Sequence, residues 1–483
     1  MRNILLLLFT FFISTGCNFA QGLENICALR LQQTDTISDI SFLLTLTDYS
    51  LLRKDPARFT NSIQIVDATQ PWPPRWFAAW APDTALSPPY SLVMPLNASL
   101  QNGTFSYFSE VLVNNKDKGK QNRQGFMICN ENLEITDTFI LPDENIDHHE
   151  FVIAKNNEKL FFVLHDTIVD QSNVYNSITE SALHISYEII EIADSSGYIN
   201  FRWDPFLQLG PDAEYKNYRK SKSSWNRPGM TDWGHGNSLS FDFDGDILYS
   251  YRSIGIGKIS RRDGHVIWKI DREEMQPNNY SDTIPCYMQH DLRAQKDTSG
   301  QVYYSFFSNG DGSLKTCSVI QFTVKDTTNG QYKFTLRKKT VLLKKPVYSA
   351  GQGNFEIEND GHYIINYGGI KGDTTQNICF EYRAASDSII GRYTAVFPYA
   401  PAYRVHQLDG WRPERPIVTK SHGKLNIQKQ VTDVVWYRLD YNRLIAVKAG
   451  TGKTFNPDGP GLYCATVKLG IGYIVSKPVY YTR

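Results

Sequence analysis

Three short segments of this chain place a histidine just ahead of a strand-like run: Asp147-His148-His149-Glu150-Phe151, His235-Gly236-Asn237-Ser238 and Gln289-His290-Asp291-Leu292-Arg293. An imidazole can attack, donate a proton or accept one near neutral pH. Asn237 adds an amide to the second segment, and Arg252 follows at the end of the next strand-like run. A guanidinium offers a planar fork of donors suited to tetrahedral oxyanions. Together these are the parts of a site that holds an anionic group and moves it or its protons. Each segment alone reads better as a structural or exposed histidine. His149, His235 and His290 gain weight jointly, being three of only 10 histidines in the chain.

Metal binding is the competing chemistry, because three histidines with Asp147 or Asp291 have the donor set for zinc. Arg252 nearby opposes a cation and favours an anionic ligand. Asp242, Asp244 and Asp246 imitate the start of a calcium loop, but Ile247 stands where an EF-hand needs glycine, and a hairpin turn explains them better. Gly450-Thr451-Gly452-Lys453-Thr454 imitates the end of a phosphate loop, with Val447 where its first glycine belongs. Neither a GxSxG elbow nor an HExxH motif occurs. The site is therefore expected to work without a metal or cofactor.

What must hold these residues is a set of strands. After Gly234-His235-Gly236-Asn237, apolar and polar residues roughly alternate through Leu239, Phe241 and Phe243, the period of a half-buried strand. Asp244-Gly245 is a hairpin signal, and Ile247, Tyr249 and Tyr251 form a return strand that delivers Arg252. From about 106 to 405 such strand pairs recur, joined by turns such as Asp194-Ser195-Ser196-Gly197, Asp263-Gly264 and Asp360-Gly361. This rhythm means a sandwich, barrel or propeller. His149 and His235 lie 86 apart (235 − 149), which suits two units of blade length, and His290 follows 55 later (290 − 235), an uneven step that requires longer loops. A β-propeller is predicted, because its blades aim their loops at one axis and let distant residues share a pocket.

The sequence has 483 residues with 50 basic and 50 acidic, so net charge gives no reason for a nucleic-acid or membrane-surface partner. Its 28 Tyr, 26 Phe and 9 Trp, with 33 Gly and 22 Pro, favour strands and turns over helices. Met1-Arg2-Asn3 followed by apolar Ile4 to Ile13 reads as a secretory signal over 1–20, too short to span a membrane, and no later apolar run is long enough. Cleavage after Ala20 is favoured; the alternative is a lipid anchor at Cys17, although Ser14 stands where a lipoprotein box has an aliphatic residue. An exported protein is expected, whether periplasmic, outer-membrane-associated or extracellular. Cys27, Cys129, Cys286, Cys317, Cys379 and Cys464 fit no zinc spacing and read as structural thiols or disulfides. Asn97, Asn102 and Asn279 head glycosylation sequons.

Two flanking regions are expected around the propeller. Residues 21–105 form a small N-terminal β region that includes the connection-like Pro71-Trp72-Pro73-Pro74-Arg75-Trp76. Residues 406–483 have the rhythm of an immunoglobulin-like sandwich, with Tyr463 where a tyrosine corner would stand and Cys464 lacking the partner of a core disulfide.

The order of motifs resembles the bacterial arylsulfotransferase family: DxHEF at 147–151, HGNS and a strand ending in arginine at 235–252, then QHD at 289–291. The resemblance covers roughly 125 to 370. It implies a secreted, six-bladed propeller that moves a sulfuryl group from an aryl sulfate to a phenol without an adenylyl sulfate cofactor. It implies that His290 is the nucleophile and forms a sulfohistidine, and that Arg252 clamps the sulfuryl oxygens. His149, His235 and Asn237 match residues that hold the sulfate and assist the phenolic oxygen. Gln352-Gly353-Asn354-Phe355-Glu356 resembles a further blade opening with glutamine in place of histidine. Trp233, Tyr287 and Phe306 either face a phenol or pack between blades.

Phenolate is a good leaving group because its ring spreads the charge, so a neutral imidazole can displace it and split transfer into two steps. Arg252 and Asn237 are preorganised donors for the sulfuryl oxygens, and His149 or His235 carries the phenolic proton. Because His290 must be neutral to attack, activity is expected to fall in acid. Two other readings stay open. A non-catalytic propeller with an immunoglobulin-like tail, used in surface binding, requires the five side chains to be scattered. A metal-dependent hydrolase requires a stoichiometric metal.

Overall fold

The structure, a computed structural model, describes residues 22–25, 28–31, 40–47, 61–80, 96–115, 119–141, 143–170, 182–210, 231–272, 284–286, 288–310, 317–327, 331–341, 348–349, 351–358, 360–368, 370–371, 378–395, 402–408, 411–428 and 431–482. The signal segment, Cys17, Cys27, Asn279 and Tyr287 lie outside them. The fold is all-β. Among the described residues, the single α-helix is Pro205–Leu209, capped by Asp204, whose carboxylate accepts from the Phe206 and Leu207 N–H groups.

Six arrays of four antiparallel strands make up the body among the described residues. The first runs from Leu96 to Phe139, the second from Asn145 to Trp203, the third from Gly236 to Asp271, the fourth from His290 to Val341 and the fifth from Asn354 to Ala395. The sixth is built from both ends of the chain. Its first strand, Ala402–Leu408, pairs with Ser41–Thr47, and Asn61–Asp67 and Trp76–Trp80 follow outward. Leu29–Leu31 adds a strand to the outer edge of the fifth array. The N-terminal residues therefore form no region of their own, because their apolar strands complete sheets begun by the far end of the chain. The first array also begins at Leu96, ahead of the boundary expected at 106.

The first strands form a closed ring. Leu96–Gln101, Asn145–Ile153, Gly236–Phe241, His290–Lys296, Asn354–Ile357 and Ala402–Leu408 touch one another in that order, and the last touches the first. Strands near the ring are covered on both faces, so Ile247–Tyr251 and Gly255–Ile259 are buried throughout. Outer strands such as Ile199–Trp203 keep the alternation of one wet face. Aromatic rings fill the gaps between arrays. Phe162 meets Tyr251 at 5.8 Å, Trp203 meets Tyr249 at 5.3 Å, and Trp268 meets Tyr304 at 5.1 Å between ring centroids. The expected turns are present, with Gly197, Gly245, Gly264 and Gly361 at φ of 87°, 90°, 76° and 83°, where a side chain is strained.

The histidine spacing has a different cause from the one expected. His149 and His235 belong to neighbouring arrays, so the 86-residue step is a single unit, lengthened by the 12-residue strands Lys159–Asp170 and Ala182–Ala193 and by the stretch after Trp203. The 55-residue step to His290 is the plain unit.

The C-terminal residues extend the sixth array. Trp76–Trp80 pairs with Gly472–Val475, which continues into Gly461–Leu469, Val435–Asp440 and Ile445–Thr451. A three-stranded sheet of Val418–Ser421, Lys424–Ile427 and Thr454–Phe455 faces the same core. That core joins Trp76, Trp436, Phe455 and Tyr463 to Phe105, Tyr107 and Met127 of the first array. Tyr463 donates to the Gly459 carbonyl at 2.9 Å, four residues upstream. Arg415 and Arg75 both hold the half-buried Asp67, at 3.0 and 2.7 Å. Cys129, Cys286, Cys317, Cys379 and Cys464 are buried free thiols, and no disulfide forms among the described residues. Asn97 is buried and donates to the His149 carbonyl at 3.2 Å, so its sequon is closed in the folded chain. No described helix is long and apolar enough to cross a membrane.

Candidate active site

The hairpin predicted around Arg252 is the inner half of the third array: Gly236–Phe241 pairs with Ile247–Tyr251, and Gly236 lies opposite Tyr251. Just before it the chain turns sharply. Gly234 and His235 have φ of 74° and 56°, and the His235 carbonyl accepts from the Arg252 N–H at 2.9 Å. A Cβ on Gly236 would lie 2.7 Å from the Phe162 ring, so only glycine lets this strand approach the second array. Asp232 then binds both predicted partners, His235 Nδ1 at 2.9 Å and Arg252 Nη2 at 3.0 Å.

His149 reaches the same place from the second array. Its Nδ1 lies 2.5 Å from Asp147 Oδ1, which also accepts the His149 N–H at 2.8 Å. The His149 and His235 rings meet edge to face, 4.6 Å between centroids. The His148 ring lies tilted against His149, 4.0 Å between centroids, and packs near Phe108 and Tyr403. Burial, then His149, push the His148 imidazole down to about 3. Burial also lowers His149, with Asp147 pulling the other way. Burial alone would raise Asp147, but His149 and His148 hold it well below the usual carboxylate range.

His290 opens the fourth array. Its Nδ1 faces Asn309 Oδ1 at 2.6 Å and the Met288 carbonyl at 3.1 Å, and its Nε2 accepts the Gln352 N–H at 3.2 Å. Burial is the main cause that pushes His290 down to about 3, with His149 and His235 adding repulsion. His290 is thus a neutral imidazole near neutral pH, within the electrostatic reach of the other two rings. His149, His235 and Arg252 gather around Asp232, and His290 starts the adjoining strand; Asn237 has a tie of its own. It is fully buried, and its amide donates to the Gln289 carbonyl at 2.6 Å. This bond uses one of the two amide hydrogens and ties Asn237 to the residue ahead of the His290 strand. Trp233 and Phe306 are fully buried, with Trp233 against Tyr187 and Phe206 and Phe306 against Phe322, so both pack between strands.

The Asn237 bond is one of a set. Asn97 donates to the carbonyl of His149, Asn237 to that of Gln289, and Asn354 to that of Val405, across 52, 52 and 51 residues. Asparagines of the first, third and fifth arrays thus each hold the next array. Gln352-Gly353-Asn354 does open the fifth array, with Gln352 and Gly353 at φ of 66° and 101°.

Several groups around the site were missed. Glu150, inside the first motif, accepts from Arg404 at 2.7 Å and from Arg293 at 2.8 Å, and Arg293 also pairs with Asp291 at 2.7 Å. Asp291 accepts the Phe355 N–H at 3.0 Å, and Arg404 donates to the carbonyls of His149 and Asn237. Two arginines and two carboxylates so tie five arrays together beneath the histidines, each buried charge answered by another. Arg404 lies 254 residues from Glu150, and no local pattern marks that pair. Glu188 accepts the Gly236 N–H at 2.8 Å, and burial, then Asp147 and Asp232, raise it well above the usual range. Its signal was a carboxylate on a strand face shared with Ile190 and Ile192.

The cation expected of a calcium loop is supplied by the chain itself. Lys258 Nζ lies 2.6, 2.5 and 3.8 Å from Asp242, Asp244 and Asp246.

A family model described as Arylsulfotransferase (ASST) matches residues 94–404, well over half of the chain. The chain belongs to the arylsulfotransferase family. The match begins just before the first array and ends inside the first strand of the sixth, wider than the 125 to 370 expected. Membership supports aryl sulfotransferase activity in general terms. No curated protein matches the chain. Among solved structures, it is similar to the extracellular domain of a hybrid two-component system from B. thetaiotaomicron, at 10% identity and a TM-score of 0.34, covering 95% of this chain and 58% of that one. It is also similar to a sucrose-6-phosphate hydrolase from Lactobacillus gasseri, at 12% identity and a TM-score of 0.30, covering 80% of this chain and 85% of that one. The chain thus spans little more than half of the first of these, and neither likeness carries an argument about activity.

Proposed function

We propose that this arylsulfotransferase-family protein is an exported enzyme that moves a sulfuryl group from an aryl sulfate to a phenol through a sulfohistidine on His290. Its body reads as a six-bladed β-propeller and its C-terminal sheets as an immunoglobulin-like packing module. The observation that carries the reading is a set of imidazoles on three successive arrays, with the His149 and His235 rings 4.6 Å apart and the His290 strand tied to the His235 strand through the Asn237 amide.

In the first half-reaction the His290 nitrogen attacks sulfur, an N–S bond forms, and the S–O bond to the aryl group breaks with its electron pair leaving on the phenolate oxygen. Arg252 holds the sulfuryl oxygens, where charge is spread in the transition state. One of the carboxylate-backed rings, His149 or His235, passes a proton to the departing oxygen and takes one from the acceptor phenol. The acceptor oxygen then attacks sulfur, the N–S bond breaks and His290 recovers its lone pair. Asn237 holds the residue ahead of His290 with one amide hydrogen and offers the other to a sulfuryl oxygen.

A metal-dependent hydrolase has one observation in its favour. Asp147, His148 and His149 bring their ligand atoms within 4.8 Å of one another, as do Glu188, Asp232 and His235. Against it, Arg252 shares Asp232 with His235, which places a fixed positive charge at that cluster. The surface-binding reading requires scattered side chains, and the 4.6 Å approach of His149 to His235 and the Asp232 carboxylate shared by His235 and Arg252 speak against it.

The test is a chromogenic aryl sulfate incubated with and without a second phenol. Release that depends on the phenol is the expected result. Equal release without it would mean a hydrolase, and loss of release on chelation would mean a metal enzyme.

A further inference from the structure

Asn309 follows the strand Val302–Ser308 and is fully buried. Its carbonyl accepts from Cys317 Sγ at 3.5 Å and from the Ser349 N–H at 3.3 Å, so its backbone is fixed. Its Nδ2 donates to the Gln352 carbonyl at 2.8 Å, which turns Oδ1 toward His290 Nδ1 at 2.6 Å. The Met288 carbonyl lies 3.1 Å from the same ring nitrogen. Neither oxygen has a hydrogen to give, so Nδ1 must carry one. Across the ring, the Gln352 N–H donates to Nε2 at 3.2 Å, which requires a bare nitrogen there.

We propose that Asn309 is a positioning residue for the transfer reaction: its amide oxygen fixes the His290 proton on Nδ1 and leaves Nε2 as the nitrogen that attacks sulfur once the bound sulfuryl group displaces the Gln352 N–H from its lone pair. The inference rests on the sulfohistidine reading above. When Nε2 bonds to sulfur the ring becomes positive and its Nδ1–H more acidic, and Asn309 then accepts a stronger hydrogen bond from a hydrogen that never leaves. A neutral amide does this without making the free ring basic. A carboxylate there would favour the imidazolium, which has no lone pair to attack with. The charges that reach the ring are those of His149, paired with Asp147, and of His235, paired with Asp232, which Arg252 shares. Asp291, next in the chain, is engaged by Arg293 and the Phe355 N–H.

The experiment is 15N NMR of the histidines in the substrate-free, full-length protein, beside pH profiles of kcat/KM for wild type, Asn309→Leu and Asn309→Asp. The wild-type spectrum should show His290 with hydrogen on Nδ1 and a bare Nε2. Asn309→Leu should mix the two tautomers and lower kcat/KM on the order of 10- to 100-fold, as for other partners that orient a histidine ring. Asn309→Asp should keep the tautomer and move the acid limb up by about 1 to 3 pH units. A wild-type His290 with hydrogen on Nε2 overturns the proposal. So does an Asn309→Leu protein with unchanged tautomer and kcat/KM, or an Asn309→Asp limb that stays in place. Should Asn309→Leu not fold, the wild-type spectrum and the Asp variant decide. If wild type transfers no sulfuryl group, the functional reading fails while the spectrum still judges the tautomer.

Discussion

His149 and His235 each turn Nδ1 to a carboxylate, at 2.5 Å from Asp147 and 2.9 Å from Asp232, whereas His290 turns the same nitrogen to an amide oxygen and a backbone carbonyl. The rings stand on neighbouring arrays, and the difference lies behind them. A carboxylate stabilises the protonated ring, which suits a group that ferries protons. An amide gives orientation without that charge, which suits a group that must offer a lone pair. One kind of side chain can thus take two chemical roles in one pocket, according to what sits at its far nitrogen.

The largest expected effect tests the nucleophile. His290→Ala should lower phenol-dependent turnover of a chromogenic aryl sulfate by at least about 10⁴-fold, the scale of losing a covalent catalyst; turnover near wild type would erase the contrast between the two sides. On the carboxylate-backed side, His149→Phe should cost roughly 10²- to 10⁴-fold. That loss should shrink with donors whose phenol is very acidic, since a good leaving group needs little protonation. Arg252→Ala should lower kcat about 10²- to 10³-fold by removing a preorganised donor, with sulfate inhibition weakened alongside. Asn237→Leu should act mainly on stability. It leaves the Gln289 carbonyl with only the 3.5 Å bond from Ser250 Oγ, at a cost of about 1 kcal/mol, read as a lower unfolding midpoint with a smaller change in kcat/KM than Arg252→Ala.

The pH dependence sharpens the same contrast. Activity was expected to fall in acid, and with His290 held at about 3 by burial, that fall should sit well below the 6.5 of an ordinary histidine. An acid limb near 6.5 would give His290 no special environment. Stability carries a matching signature. His148 and His290 refuse protons that the unfolded chain takes up below about 6.5, so their contribution is present above that pH and is lost as pH falls toward about 3. Asp147, held low, adds a loss in the same direction at still lower pH. Glu188, held high, works oppositely and loses its contribution as pH rises through its folded value. Thermal unfolding across this range checks the balance, which should favour neutral pH over pH 4.

The hairpin was legible because period-two alternation and an Asp-Gly turn are local, and both act within a few residues. The histidine motifs were legible for the same reason. Asn237 was legible in part: its spacing from His235 is compatible with a shared ligand, and only the neighbouring array shows that its amide also reaches the Gln289 carbonyl. Asn309 lay in plain view at the end of a strand, yet its partner is 19 residues away on another strand. The N-terminal strands read weakly because nothing local says that they pair with residues some 360 positions later.

By itself, the sequence determined the strand rhythm, the turns and which residue types could handle an anion, since these depend on side-chain period and backbone freedom over a few residues. Only the tertiary structure decided which strand closes the ring, which carboxylate or amide backs each imidazole, and that Arg404 and Glu150 meet. Those outcomes depend on burial and on charges brought together from far along the chain, where a few ångströms separate a proton carrier from a nucleophile.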